Sequence, residues 1–146
     1  MPVYEVGFTG IAAANGAAYA TFAASAARRQ FLREQGWFTT SAVATSIGMN
    51  TPANTPTYQA TLTPLPMDTN DATGTGSLAT TWSTVPTVPT NVYYRKVTLG
   101  AATGAGVIWK KALDEPWVLA KSGIWVWWNY GSAQGSAPDA YLENVE

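Results

Sequence analysis

The sequence predicts a single all-β domain, an antiparallel sandwich or barrel of nine or ten short strands. Apolar and polar residues alternate with a period of two in many segments, as they do on half-buried strands. Turn-forming Gly, Pro, Asn and Asp recur roughly every ten residues between these segments. Strands do not alternate with helical patterns and nothing repeats at a fixed period, which disfavours βαβ units, propellers and solenoids. A length of 146 residues suits one domain.

Residues 1–27 are predicted to be an extended, alanine-rich arm that contains the first strands. Residues 3–8 alternate, so that Tyr4, Val6 and Phe8 share one face. Residues 17–27 are ambiguous because alanine favours helix. The aromatic and threonine residues among them favour a strand, and a helix there would have no cap or charged face.

Residues 28–146 are predicted to form the body of the sandwich. Prolines exclude residues 50–56 and 85–90 from central strands, because proline cannot donate to a sheet. The predicted strands of this part are residues 28–38, 42–49, 57–65, 77–84, 92–99, 107–112, 124–130 and 140–145, and residues 116–121 are a short apolar segment.

Charge is sparse and balanced, which bears on the class of partner. Eight Lys and Arg face nine Asp and Glu, for a net charge of −1, so no long-range field attracts nucleic acid or anionic lipid. No apolar run approaches the roughly 20 residues of a membrane span. Twenty threonines supply neutral solvation. A surface so poor in charge is expected to be covered in part by partner proteins.

The usual catalytic side chains are missing. The chain contains no His and no Cys, which removes the common base of nucleophilic triads and the best zinc ligands. The glycine-rich stretch 100–106 lacks the lysine of a phosphate-binding loop. We therefore expect neither an enzyme, a cofactor nor a metal site.

Two acidic clusters are the candidates for catalysis or metal binding that the sequence still contains. Asp114 and Glu115 could act as paired carboxylates on a glycoside, but a solvated turn is the favoured interpretation. Asp68, Asn70 and Asp71 resemble part of a calcium loop, yet the glutamate that completes such a loop is absent. A turn held by side-chain-to-backbone hydrogen bonds is favoured there.

The aromatic segment 124–130 is the most unusual stretch. Its period of two predicts one face for the core and another that exposes large aromatic surface. The exposed pair could stack on sugars, pack against an outer strand or fill a subunit interface. The predicted core face holds Ile124, Val126, Trp128 and Tyr130, the other holds Trp125, Trp127 and Asn129, and Trp82 and Trp109 are expected in the core.

Paired arginines begin the densest charged cluster. Arg28, Arg29 and Arg33 could discourage edge-to-edge pairing of strands, or could contact carboxylates across an interface. The sequence does not separate these roles. The full set of interface candidates is Arg28, Arg29, Arg33, Trp125, Trp127, Tyr19 and Phe22.

Three segments together resemble a known family. They are the strand that begins at Arg28-Arg29 and runs to Thr40, the strand-loop-strand from Lys96 to Trp109, and residues 116–123 before the aromatic strand. Their order is similar to small jelly-roll proteins that tailed bacteriophages encode near their head genes.

The resemblance implies a tumour-necrosis-factor-like jelly roll that assembles as a homotrimer. It implies a decoration or cement protein on the outer surface of the capsid, which binds and stabilises the major capsid protein. The arm of residues 1–27 would then lie across neighbouring subunits. A glycan- or receptor-binding jelly-roll module of a tail fibre or lectin is the alternative.

Overall fold

The structure, a computed structural model, describes residues 1–112, 114–132 and 137–146 and confirms the all-β prediction. Within those ranges it contains twelve strands and no helix. It follows that no described helix could cross a membrane. The strands are β1 (Val3–Thr9), β2 (Ala18–Ala23), β3 (Gln30–Phe38), β4 (Thr45–Asn50), β5 (Thr57–Leu62), β6 (Leu65–Pro66), β7 (Ser77–Thr84), β8 (Arg95–Leu99), β9 (Gly106–Lys110), β10 (Trp117–Leu119), β11 (Ile124–Trp128) and β12 (Asp139–Val145).

The strands form two six-stranded antiparallel sheets that pack as a sandwich. In the first sheet the order is β6-β1-β12-β3, and the far edge of β3 pairs with β9 along one part and with β10 along another. The order of the second sheet is β5-β7-β2-β11-β4-β8.

The pairing is nested as in a jelly roll. The first strand pairs with the last, β2 pairs with β11, β3 pairs with β9, and β4 pairs with β8. Successive strands of this nest alternate between the sheets, so the chain resembles a long hairpin rolled around one core. The other strands extend the edges: β5 and β7 lengthen the second sheet, β6 and β10 the first.

The first 27 residues are integral to both sheets, which corrects the prediction of an arm. β1 lies between β12 and β6, and β2 lies between β11 and β7. The strand interpretation of residues 17–27 is confirmed over Ala18–Ala23. The alanines serve the interior, because Ala18 and Ala20 let the wide aromatic rings of β11 pack directly against β2.

The core between the sheets is built around indole rings, and this reverses the predicted faces of β11. Trp125 and Trp127 point into the core, where the rings of Trp127 and Trp37 lie 5.8 Å apart. Val126 and Trp128 lie on the opposite side of the second sheet. That side is also buried, because the segment after β7 covers it.

A second apolar cluster accounts for the burial of that outer side. Tyr93 stacks on Trp128 with ring centroids 5.2 Å apart, and Trp82 donates a hydrogen bond to Thr21 Oγ1 at 3.1 Å. Trp82 therefore belongs to this outer cluster and not to the main core. Trp109 packs against the main core as predicted.

Candidate functional site

On the outer face of the first sheet, side chains from neighbouring strands line up in four rows. Each row crosses β3, β12 and β1, and begins on either β9 or β10. The rows are Val118–Phe31–Val145–Val3, Lys110–Glu34–Glu143–Glu5, Ile108–Gly36–Tyr141–Gly7 and Gly106–Phe38–Asp139–Thr9. We call this surface the four-row face.

The charged row crosses the middle of the four-row face. Lys110 Nζ lies 2.7 Å from Glu34 Oε2, and Arg33 contacts Glu143 at 3.4 Å. Glu5 forms no ion pair with any residue that the structure describes. Since like charges directly opposite repel, the three adjacent glutamates leave this row short of positive charge.

Glu34 is the best-held carboxylate of this row. It accepts a hydrogen bond from the Tyr141 hydroxyl at 2.6 Å in addition to the Lys110 contact. The hydrogen bonds from Lys110 and Tyr141 hold the pKa of Glu34 below its usual range. Burial, together with the bond to Glu34, raises the pKa of Tyr141 to about 12.

Two glycines make the next part of the face flat. The Tyr141 ring lies over Gly36, and the Phe38 ring lies over Gly106, so a Cβ at either glycine would overlap a ring. The Phe38 and Tyr141 rings stack on each other with centroids 6.4 Å apart. Ile108, beside Gly36, is 55% exposed.

The row at the other end is apolar and concave. Val3, Phe31 and Val145 line a cavity of about 520 Å³, with Arg33 and Asp114 at its margin. Val118, at the end of the row, is 51% exposed. The Nε atom of Arg33 is buried and has no hydrogen-bond partner among the described residues. The four-row face thus combines exposed apolar groups with an incompletely neutralised charged row.

The predicted interface candidates separate into two groups. Arg33 lies on the four-row face, and Arg28 and Arg29 are exposed in the turn before β3. The prediction is wrong for Trp125, Trp127, Tyr19 and Phe22. All four fill the main core and are at most 3% exposed, so none offers surface to a partner or a sugar. Their strands are central in the second sheet, where the inward face must be apolar.

Asn129, which was predicted to share a face with Trp125 and Trp127, is fully buried. Its amide donates to the carbonyls of Ala13 and Ser132 at 2.9 and 2.6 Å. It therefore ties the loop after β11 to the loop before β2 and is not free to bind a ligand.

The acidic clusters give no metal geometry. Asp68 Oδ1 accepts the Asn70 backbone N–H at 2.9 Å, which confirms the predicted turn. Asp114 and Glu115 are exposed in the loop after β9. Within residues 1–112, 114–132 and 137–146, no group of three or more acidic residues is placed to hold a metal ion.

Apart from Arg33, the residues of the four-row face were missed because their significance depends on which strands are neighbours. Phe38, Ile108 and Tyr141 come from three strands far apart in the chain. The signal within each strand was present, because Glu5, Gly7 and Thr9 alternate with buried residues, and Ile108 and Lys110 alternate with half-buried ones. The sequence did not indicate which strands would be neighbours.

Comparison of the chain with known protein families, with curated proteins and with solved structures finds no match. Function must therefore be inferred from the chemistry of the chain's own surfaces.

Proposed function

We propose that this protein is a structural component of a bacteriophage virion that acts by binding and not by catalysis. In this proposal it is a homotrimer that decorates the outer surface of the capsid and cements the major capsid protein. The four-row face carries the self-association.

The observation that carries the proposal is the arrangement of that face. Ile108 and Val118, each more than half exposed, lie on either side of the charged row. Exposed apolar groups beside ion-paired charges supply both parts of a protein–protein contact, because apolar burial supplies affinity and complementary charge fixes the register.

The uncompensated glutamates support contact with another copy of the chain. Glu5 has no counter-ion among the described residues, whereas Arg28 and Arg29 are exposed and likewise form no ion pair there. A copy that brought such an arginine to Glu5 would complete the row, and Arg–carboxylate bonds are among the strongest surface contacts.

In this proposal the trimer stabilises the capsid shell by adding contacts to it, and this requires no reactive group. Each added contact with the capsid shell must bury roughly 1,000 Å² or more to be specific. Three copies on one axis present three identical surfaces to the shell, which raises the effective concentration of the second and third contacts.

Heating virions that carry or lack the protein tests the cementing role. Deleting the coding sequence from the phage genome, or removing the protein from purified capsids, is expected to lower the temperature at which the packaged DNA escapes. Adding back the purified protein restores that temperature. If DNA escapes at the same temperature in both preparations, the protein does not cement the shell.

A further inference from the structure

A second surface, separate in chemistry from the four-row face, lies where the two sheets part. It is formed by Trp117 on β10 and by Tyr94 and Arg95 at the start of β8, both edge strands. A cavity of about 270 Å³ opens there, with Trp117, Tyr94 and Thr51 in its walls and Trp125 buried behind them. We call it the Trp117 cleft.

Two cations share the indole ring of the cleft. The Arg95 guanidinium carbon lies 5.6 Å from the centroid of the Trp117 ring, and Lys111 Nζ lies 5.7 Å from it. Both distances are within the range of a cation–π contact. The ring holds both side chains near the cavity.

Neither cation is neutralised by the part of the chain that the structure describes. Arg95 and Lys111 form no ion pair there, and their side-chain N–H groups have no hydrogen-bond acceptor. Asp114 and Glu115 are the carboxylates nearest in sequence to Lys111, but both are exposed and lie outside ion-pair distance. Two unpaired cations over a ring that lines the cavity favour an anionic group beside that ring, although neither cation is itself in the cavity wall.

The aromatic walls restrict what kind of anion fits. The half-exposed Tyr94 presents flat apolar surface, which a fully hydrated inorganic anion does not use, whereas the Trp117 ring is already in contact with Arg95 and Lys111. A pyranose ring has an apolar C–H face that packs on the Tyr94 ring, and an acidic sugar also carries a carboxylate for the cations. Guanidinium groups bind carboxylates with two parallel hydrogen bonds.

A polar extension of the cleft leaves room for further sugar units. A neighbouring cavity of about 320 Å³ shares Thr51 and Gly123 with the cleft and continues along Asn54, Thr55 and Ser122. Its wall of hydroxyl, amide and backbone groups suits the hydroxyls of neutral sugars.

We propose that the Trp117 cleft binds a carboxylate-bearing pyranose, a sialic or uronic acid, within an oligosaccharide. The site does not depend on the proposed assembly role, since it uses none of the charged or aromatic groups of the four-row face. Only Val118 borders both surfaces.

Saturation-transfer NMR and titration with defined sugars test the site. Sialyllactose and a galacturonic acid trimer serve as acidic probes, and lactose serves as the neutral one. We expect at least one acidic probe to bind with saturation of its ring C–H protons, and lactose to bind at least about tenfold more weakly.

Matched charge variants locate the binding. Arg95→Gln and Lys111→Gln are each expected to weaken binding of the acidic probe about tenfold, the value of one charge-assisted contact. Lys96→Gln is the control, because Lys96 also lies over aromatic rings, those of Tyr93 and Tyr130, but outside the cleft. All three positions are exposed or partly exposed, so folding is expected to be preserved and is checked by the melting temperature.

Four results would overturn the proposal. The first is that neither acidic probe binds at millimolar concentration. The second is that lactose binds as well as the acidic sugars. The third is that Lys96→Gln weakens binding as much as Arg95→Gln does. The fourth is that millimolar inorganic phosphate inhibits binding of both acidic probes and neither probe shows C–H saturation, since this would indicate a simple anion site.

Discussion

The side-chain carbonyl of Gln35 accepts a hydrogen bond from the indole N–H of Trp127 at 2.7 Å, across the centre of the sandwich. Gln35 lies on β3 of the first sheet and Trp127 on β11 of the second, and both are fully buried. The same carbonyl accepts the Trp37 indole N–H at 3.1 Å. One amide therefore accepts hydrogen bonds from two indoles and links the two sheets at the centre of the core.

Replacing Gln35 by Leu is expected to destabilise the fold by about 2–5 kcal/mol. The substitution keeps the apolar bulk but leaves two buried indole N–H groups without an acceptor, each costing about 1–3 kcal/mol. Urea unfolding checks this, with a lower midpoint and an unchanged slope.

Trp127→Phe provides the partner for a double-mutant cycle. Once the Trp127 indole is gone, Gln35→Leu should cost about 1–2 kcal/mol less than it does in the parent chain. Additive losses would show that the 2.7 Å contact contributes nothing specific.

Gly36→Ala is expected to destabilise the protein by about 1–3 kcal/mol, because the added methyl overlaps the Tyr141 ring and forces it away from Glu34. Gly7→Ala is the matched control. Gly7 lies in the same row of the four-row face, and an added Cβ there meets nothing within 4 Å. Its effect should stay within about 0.5 kcal/mol. Equal losses in chemical denaturation would contradict the packing assigned to Tyr141.

Stability is expected to fall in acid partly through Glu34. Because the pKa of Glu34 is lower in the folded chain than in the unfolded chain, its contribution is complete above about pH 4.3. That contribution is lost as the pH falls through the folded pKa. Glu34→Gln should flatten this part of a pH–stability profile measured by urea unfolding. Glu5→Gln is the control in the same row, because it leaves the Lys110 and Tyr141 contacts of Glu34 in place and should preserve the part of the profile that Glu34 supplies.

Stability is also expected to fall in alkali, partly through Tyr141, whose pKa is raised in the folded chain where that of Glu34 is lowered. Its pKa is raised from 10.0 to about 12, so its contribution is complete below about pH 10 and is lost between about pH 10 and 12. Tyr141→Phe should therefore lose less stability than the parent over that interval. A parallel decline of both proteins would contradict the raised pKa that burial, together with the hydrogen bond to Glu34, gives Tyr141.

The fold was largely predictable because period-two alternation and proline placement are local properties. Ser77–Thr84 was predicted to the residue, and the ends of most other strands to within a few positions. The jelly-roll pairing itself could be proposed only from the resemblance. Nesting β1 with β12 and β2 with β11 requires contacts across most of the chain, which no local pattern encodes.

The burial of the β11 tryptophans could not be predicted from the sequence, because both sides of the second sheet are buried. Trp125 and Trp127 alternate with Val126 and Trp128, and a period of two cannot rank two apolar faces. The segment that carries Tyr93 covers one of them, which local alternation does not reveal. Trp117 likewise could be recognised as part of a candidate site only in the folded chain, where Arg95 and Lys111 lie over its ring.

Sedimentation velocity of the purified protein tests the proposed self-association through the four-row face. We expect a mass three times that of the 15.5 kDa chain, and we expect Ile108→Glu to shift the protein to a monomer. Val92→Glu is the control, since Val92 is 63% exposed but lies off that face, and it should remain trimeric. A parent protein that sediments as a monomer at tens of micromolar, or an Ile108→Glu variant that stays trimeric, would contradict the claim.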